Sequence, residues 1–297
     1  MFELKSYLES RRDLFEKKLD ALLNIPSSGS GRLLSAMRYS LLSGGKRLRP
    51  ILCFAAAEAV GGSPSQCMTT ACALEMIHTY SLIHDDLPAM DDDNLRRGMP
   101  TCHKAFDEAS AILAGDGLLT LALYFLSSPS HWDSSDPALN LTLISLISHA
   151  AGQQGMIEGQ MLDMESQGKN LSLDELEQLH RLKTGAMITV SIRCGAMLAG
   201  ANSHQIQSLE NYAAHIGLAF QVADDILNVT GNSALMGKAT GTDDKLNKAT
   251  YPSLLGLEPA RAFARELVDK SLRELEPFDA KADPLRSIAL YIIERNR

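Results

Sequence analysis

ALEMIHTYSLIHDDLPAMDDDNLRRGMP, residues 73–100, sets two kinds of sequence end to end. An apolar run, ALEMIHTYSLI, leads straight into five aspartates (Asp85, Asp86, Asp91, Asp92, Asp93) and two arginines (Arg96, Arg97). Residues four apart lie one above the other on a helix, so a D-D-x-x-D spacing aims its first and last carboxylates the same way. Here Leu87, Pro88, Ala89 and Met90 stand between the acids, and on an ideal helix Asp91 would sit about 120° around from Asp85. Pro88 resolves this, because proline disfavours helix at the residue before it. The stretch therefore predicts a buried helix that ends near Leu87, and a turn that folds Asp91 back beside Asp85. Clustered carboxylates without His or Cys suit a hard cation that keeps its waters, such as Mg²⁺.

The same helical grammar extends both ways. Apolar residues at three- and four-residue spacing mark 2–23, 31–43, 50–60, 65–86, 105–126, 138–166, 172–199, 203–230 and 252–275, with a last helix from about 284. Ser172 three residues before Glu175 is a capping-box signature. No alternating strands and no internal repeat stand out. The expectation is one large all-α domain, residues 1–297, with helices around a central cavity. Residues 231–251 break the pattern: they are weakly periodic, carry Lys238, Lys245 and Lys248, and are longer than most structureless loops in compact domains.

Of the 297 residues, 45% are hydrophobic and 5% aromatic, enough for a sizeable core that favours helix over strand. A formal charge of −8 argues against nucleic acid as partner. The N-terminal MFELKSYLESRRDLFEKKLDALL is charged throughout, unlike a secretory leader, and no long uncharged apolar run predicts membrane insertion. The five cysteines are odd in number and form no CxxC pair, which predicts reduced core residues and a cytoplasmic location.

A second acidic pair lies in AFQVADDILNVTG, where Gln221, Asp224 and Asn228 share a helical face and Asp225 lies to the side. Two acid clusters at the ends of apolar helices suggest facing walls of one pocket. An EF-hand starting at Asp91 fails, because Leu95 and Arg96 occupy positions that need a ligand and a glycine. Cations recur too. LLSGGKRLRP (41–50) puts Gly44 and Gly45 before Lys46, Arg47 and Arg49 as an anion-binding turn. Arg96 and Arg97 follow the first acids, and Lys183 precedes a hydroxyl, Thr184. Two anionic groups and several Mg²⁺ ions would account for all of them.

Taken in order, GGKRLRP, ALEMIHTYSLIHDDLPAMDDDNLRRGMPTCHKAF, KTG, AFQVADDIL, GK at 237–238 and KATYPSLLG make the chain resemble the trans-isoprenyl diphosphate synthases, specifically the bacterial short-chain farnesyl diphosphate synthases. That resemblance implies the isoprenoid synthase fold, a deep central active site and a homodimer. It implies Mg²⁺-dependent condensation of isopentenyl diphosphate with dimethylallyl and geranyl diphosphates. Asp85 and Asp91, with Asp86 nearby, would hold two Mg²⁺ ions on the allylic diphosphate, and Asp224, supported by Asp225, a third. Arg96, Lys183, Lys238 and Lys248 would bind that diphosphate. Gly45, Lys46, Arg49, His78 and Arg97 would bind isopentenyl diphosphate. Thr184 and Gln221 would set oxygen dipoles near the allylic cation. An aromatic at Tyr80, with Ser81 beside it and two extra residues inside the first acidic motif, goes with a fifteen-carbon product.

The residue types suit this chemistry. A diphosphate leaves an allylic carbon only if its charge is neutralised, and the cation needs a dry apolar pocket. The chain departs from the family at Asn228, where Asp is typical. Other expectations can be weighed. An HD-type phosphohydrolase needs more histidine ligands than His78 and His84, and a terpene cyclase would not need the GGKRLRP turn. A geranylgeranyl diphosphate synthase, or a non-catalytic prenyl synthase subunit, would carry many of the same residues.

Overall fold

The protein, seen in a computed structural model, is described over residues 2–24, 29–230 and 249–294. Helices dominate: α1 (Leu4–Leu22), α2 (Arg32–Leu41), α3 (Leu48–Ala59), α4 (Met68–Asp85), α5 (Cys102–Ala105), α6 (Glu108–Ser127), α7 (Pro137–Ala151), α8 (Met156–Ser166), α9 (Leu173–His180), α10 (Ala186–Leu198), α11 (Ser203–Thr230), α12 (Tyr251–Leu255), α13 (Leu257–Glu274) and α14 (Asp283–Glu294).

The interior runs through α3 and α10, each buried on two faces. Cys53 and Phe54 of α3 and Met187 and Cys194 of α10 join one apolar cluster, with α1, α2, α4, α6 and α7. Leu52 and Ala56 of α3 and Ile188 and Ile192 of α10 join the other, with α11, α13 and α14. The two helices press together at Gly195, where a Cβ would lie 2.0 Å from the Cys53 carbonyl oxygen. Only a residue without a side chain fits there.

Helix α4 is apolar all round and is buried from Thr69 through Ile83 on most sides, as such a helix must be. Its N-terminus is tied down from outside. Asp133 accepts hydrogen bonds from the Thr69 and Thr70 backbone N–H groups (3.0 and 2.7 Å) and from the Thr70 hydroxyl (2.8 Å). This is helix capping performed by a distant loop, which satisfies donors that the first turn leaves open.

The predicted capping box is present: the Ser172 hydroxyl accepts from Glu175 N, and the Glu175 carboxylate accepts from Ser172 N. Several predicted helices are broken. The 138–166 segment is α7 and α8, separated at Gly152–Gly155, where a Cβ on Gly155 would lie 2.0 Å from the Ala150 carbonyl oxygen. The 105–126 segment restarts at Asp107, whose carboxylate caps α6 through Ser110 N. The 252–275 segment divides at Gly256 (φ 86°). Within 172–199, a π-helical turn at Arg181–Gly185 separates α9 from α10. A short hairpin also appears, β1 (Leu95–Arg96) against β2 (Met99–Pro100). Its turn residues, Arg97 (φ 54°) and Gly98 (φ 78°), both lie in the left-handed region. Strands of two residues carry no readable alternation. The 231–251 loop expectation falls mostly on residues outside those described.

Candidate active site

Helix α4 ends at Asp85, and Asp86 caps it. Pro88 ends the element, and the chain turns back as the spacing predicts: Asp91 N donates to the Asp85 carbonyl (2.9 Å) and Asp92 N to that of Leu87 (3.1 Å). Asp92 takes a left-handed backbone (φ 47°), which Asp tolerates better than most residues. Burial pushes the Asp85 carboxyl up to about 6; Lys183 and Arg96 pull against this, while Asp91 and Asp86 add to it. A raised carboxyl among other acids is one that a nearby cation would favour in its charged form. Among the described residues no three acidic, His or Cys side chains form a ready-made cage. A pair of carboxylates fits an ion that takes its remaining ligands from water and substrate oxygens, as Mg²⁺ does.

Asp86 points elsewhere. It is buried and receives the Arg96 guanidinium through Nε (2.8 and 3.0 Å) and Nη2, and the same Nη2 reaches Asp93 at 3.4 Å. Arg96, expected on the allylic diphosphate, and Asp86, expected beside a metal, are here each other's partners.

Across from α4 stands the π-helical turn with Lys183 and the half-buried Thr184. Such turns re-aim side chains and recur at functional sites. Gly159 of α8 lets the turn approach, since a Cβ there would lie 2.1 Å from Lys183 N. The Lys183 ammonium pairs with Asp163 (2.7 Å) and also acts on Asp85. Lys183, Asp163, Gln221, His180 and Asp225 line one cavity, so Lys183 links the two acid clusters. Gln221 Nε2 lies 3.3 Å from His180 Nδ1. Asp224 is half-buried on α11, while Asp225 is buried and accepts a hydrogen bond from Tyr251 N (2.9 Å). Lys238 and Lys248 lie outside the described residues.

The second basic group forms seven residues before Asp85. Gly44 (φ 78°) and Gly45 (φ 131°) turn the chain, and Arg97 Nη1 donates to the Gly44 carbonyl. A Cβ on Gly45 would lie 2.5 Å from the Arg97 guanidinium carbon, so glycine is required for this approach. Lys46 is exposed. Burial lowers Arg49 to about 10, against the pull of Glu75. Burial also keeps the His78 imidazole well below the usual histidine range, with Arg49, Arg97, Arg96 and Arg47 reinforcing it. Gly45, Arg49, His78 and Arg97 thus converge.

Between the two groups lies Tyr80, 6% exposed, its ring edge-on to His84 at 5.8 Å between centroids. Its hydroxyl is buried without a hydrogen-bond partner among the described residues, and burial, aided by Asp85, pushes it up to about 12. The Ser81 hydroxyl turns back onto the His78 carbonyl (2.8 Å). Sequence reasoning placed Arg47 in the anion-binding turn without its buried partner, and it missed Asp163, Glu75 and the π-helical turn. A lone acid inside an apolar run was the available signal for Glu75; Asp163, with Glu158 and Glu165 near it in sequence, offered none.

Comparison with known proteins agrees with this geometry. Polyprenyl synthetase, as a family, matches residues 31–283. The chain is 46% identical to farnesyl diphosphate synthase of Geobacillus stearothermophilus, covering 99% of this chain and 98% of that protein. It is 49% identical to farnesyl diphosphate synthase of Escherichia coli K12, covering 89% and 90%. Its fold superimposes on the apo FPP/GFPP synthase of Zymomonas mobilis with a TM-score of 0.87 at 40% identity, covering 98% of each chain. The helices carrying the acid clusters, the glycine turn and Lys183 fall within the matched region, and the chain belongs to the polyprenyl synthetase family.

Proposed function

We propose that this protein is a prenyltransferase that joins isopentenyl diphosphate head-to-tail to dimethylallyl and then geranyl diphosphate, releasing diphosphate and making farnesyl diphosphate. One observation carries the reading. A single buried helix, α4, offers His78 to a basic group and Asp85 to an acid–lysine group, seven residues and thus about 10 Å apart. Two diphosphates held at that separation leave their apolar chains to the helix face between them.

In this scheme Lys183 meets the allylic diphosphate and draws off its departing charge. Asp85, Asp91 and Asp224 would hold Mg²⁺, three ions by family resemblance, which when bound supplies positive charge to the leaving group. Arg96 acts with Asp86 as a pair, and Lys238 and Lys248 add charge. Asp225 fixes the start of α12 beside Asp224. Thr184 and Gln221 turn oxygen dipoles toward the allylic carbon. Gly45, Lys46, Arg49, His78 and Arg97 seat isopentenyl diphosphate so that its double bond faces that carbon. Neutral His78 binds as a hydrogen-bonding group and not as a cation. No protein nucleophile is needed; the proton lost at the end goes to the released diphosphate.

The assembly we propose is a homodimer. Helix α6 is apolar and long enough to cross a membrane by length and composition, despite Glu108 and Asp116. Its inner face packs into the core, and Ile112, Leu113, Leu123 and Tyr124 remain exposed, as does Leu141 of α7. A second copy would cover this face. Five buried, unpaired cysteines support a reducing, cytoplasmic setting.

The test is incubation of the purified chain alone with labelled isopentenyl diphosphate, each allylic primer and Mg²⁺, with products sized by chromatography. A fifteen-carbon product supports the reading. Twenty carbons would make it a geranylgeranyl diphosphate synthase, and no product would make it a non-catalytic subunit.

A further inference from the structure

Arg47 stands between Lys46 and Leu48 in the basic turn, yet its side chain is 0% exposed. It adopts a left-handed backbone (φ 48°) as the residue before α3, a conformation that a bulky side chain keeps only under constraint. The constraint comes from three other helices. Arg47 Nη1 donates to Glu75 Oε1 of α4 (2.9 Å), and Nη2 to the Leu41 carbonyl that ends α2 (2.8 Å). Nε reaches Glu16 of α1 (3.4 Å), and the guanidinium stands over the Phe15 ring.

Glu75 is 1% exposed and spends one oxygen on Arg47; the other has no hydrogen-bond partner among the described residues. Its charge acts on Arg49 and Arg97, holding protons on both. Glu75 thus acts on three guanidiniums, of which Glu16 reaches only that of Arg47, leaving an excess of positive charge beside Gly45 and His78. Arg47 cannot reach a ligand, because it is enclosed and its donors are engaged.

We propose that Arg47 and Glu75 are a positioning pair for the second diphosphate site. Arg47 locks the Gly44–Lys46 turn to the end of α2 and to α4, which aims Lys46 outward on one side and Arg49 inward on the other. Glu75 keeps the Arg49 and Arg97 guanidiniums gathered without touching substrate. A buried ion pair adds little net stability compared with apolar residues of similar volume. Its use here is to fix where the diphosphate-binding cations point. The inference rests on the assignment of this site to isopentenyl diphosphate.

Steady-state kinetics test it, with each substrate varied in turn for wild type, K46A, R47K and R47M/E75L. R47K keeps the charge and loses the fork; R47M/E75L removes both charges of the pair together, leaving the Leu41 carbonyl without its donor. The expected result is a KM for isopentenyl diphosphate raised about tenfold or more in both, with the KM for geranyl diphosphate within about twofold and kcat at saturation little changed. K46A, which removes a direct contact, should raise the same KM. If K46A moves that KM and R47K and R47M/E75L do not, the positioning role is refuted while the site assignment survives. If K46A leaves it unmoved, the site assignment itself fails. Equal losses for both substrates, tracking a fall in Tm, would show a merely structural pair and also refute the role. R47K decides alone if R47M/E75L does not fold.

Discussion

In Tyr80→Ala, the ring lying five residues before Asp85 on α4 is exchanged for a methyl group. Truncating a packed aromatic costs about 3–5 kcal/mol. Tyr80 should fall below that range, because its hydroxyl is buried without a partner, a burden of about 1–3 kcal/mol that the substitution removes. A net loss of about 2 kcal/mol is expected, a few degrees in Tm for a chain of this size. The gain falls to the product. An isoprenoid tail grows from the acid end into the space the ring occupied, and each further unit brings five carbons. At about 0.8 kcal/mol per buried methylene, the longer tail gains up to about 4 kcal/mol. With about 1.4 kcal/mol per decade, the partition between extension and release shifts by up to about 10³. The assay supplies labelled isopentenyl diphosphate with geranyl or farnesyl diphosphate and sizes the products. Geranylgeranyl diphosphate or longer should dominate. An active variant that still stops at farnesyl diphosphate would refute Tyr80 as the floor and leave it a core aromatic.

Asp85→Ala should lower kcat by at least about 10² while urea unfolding is unchanged or slightly improved, since burial and Asp91 already disfavour that carboxylate; near-normal turnover at saturating Mg²⁺ would exclude the metal role. Asn228→Asp should change the rate or Mg²⁺ dependence only modestly, and an inactive wild type rescued by this variant would overturn the assignment of a working enzyme. His78 makes stability pH-dependent. The unfolded chain takes up its proton below about 6.5 and the folded site resists, so stability falls as pH drops, by at most about 1.4 kcal/mol per pH unit, and is unaffected above. His78→Gln should flatten that acid limb in denaturant titrations, and an unaltered limb would refute the buried neutral state. Gly195→Ala should cost about 1–3 kcal/mol or more in urea unfolding, because its Cβ meets Cys53 backbone and not a movable side chain.

Local chemistry was legible where one residue dictates its neighbours. Pro88 ended α4 and folded Asp91 onto Asp85, and Ser172 with Glu175 capped α9. Periodicity failed wherever a helix changes its pitch or halts without polar punctuation. Apolar residues continue on both sides of the π-helical turn, so Lys183 and Thr184 read as ordinary helix. Gly152 and Gly155 break α7 from α8 through a backbone contact that no pattern records. Partnerships across the fold were the least legible. Arg47 finds Glu75 across 28 residues, and Lys183 finds Asp163 across 20, and spacing cannot foretell either. Arg96 with Asp86 shows the converse: both were singled out as candidates by type, while their pairing needed the hairpin.

The clamp of Asp133 on the first turn of α4 gives this helix a zero mark. With that end pinned, His78, Tyr80 and Asp85 sit at fixed heights, like graduations on a rule. Each inserted residue between Thr70 and Asp85 would advance the later ones by about 1.5 Å and swing them about 100°. The helix can therefore exchange one side chain for another and alter what the pocket measures, but it cannot gain or lose a residue without moving Asp85 off its mark, and a change before His78 moves both marks at once. Variation in product length through α4 should come by substitution, and changes in chain length should collect in the turn beyond Asp86.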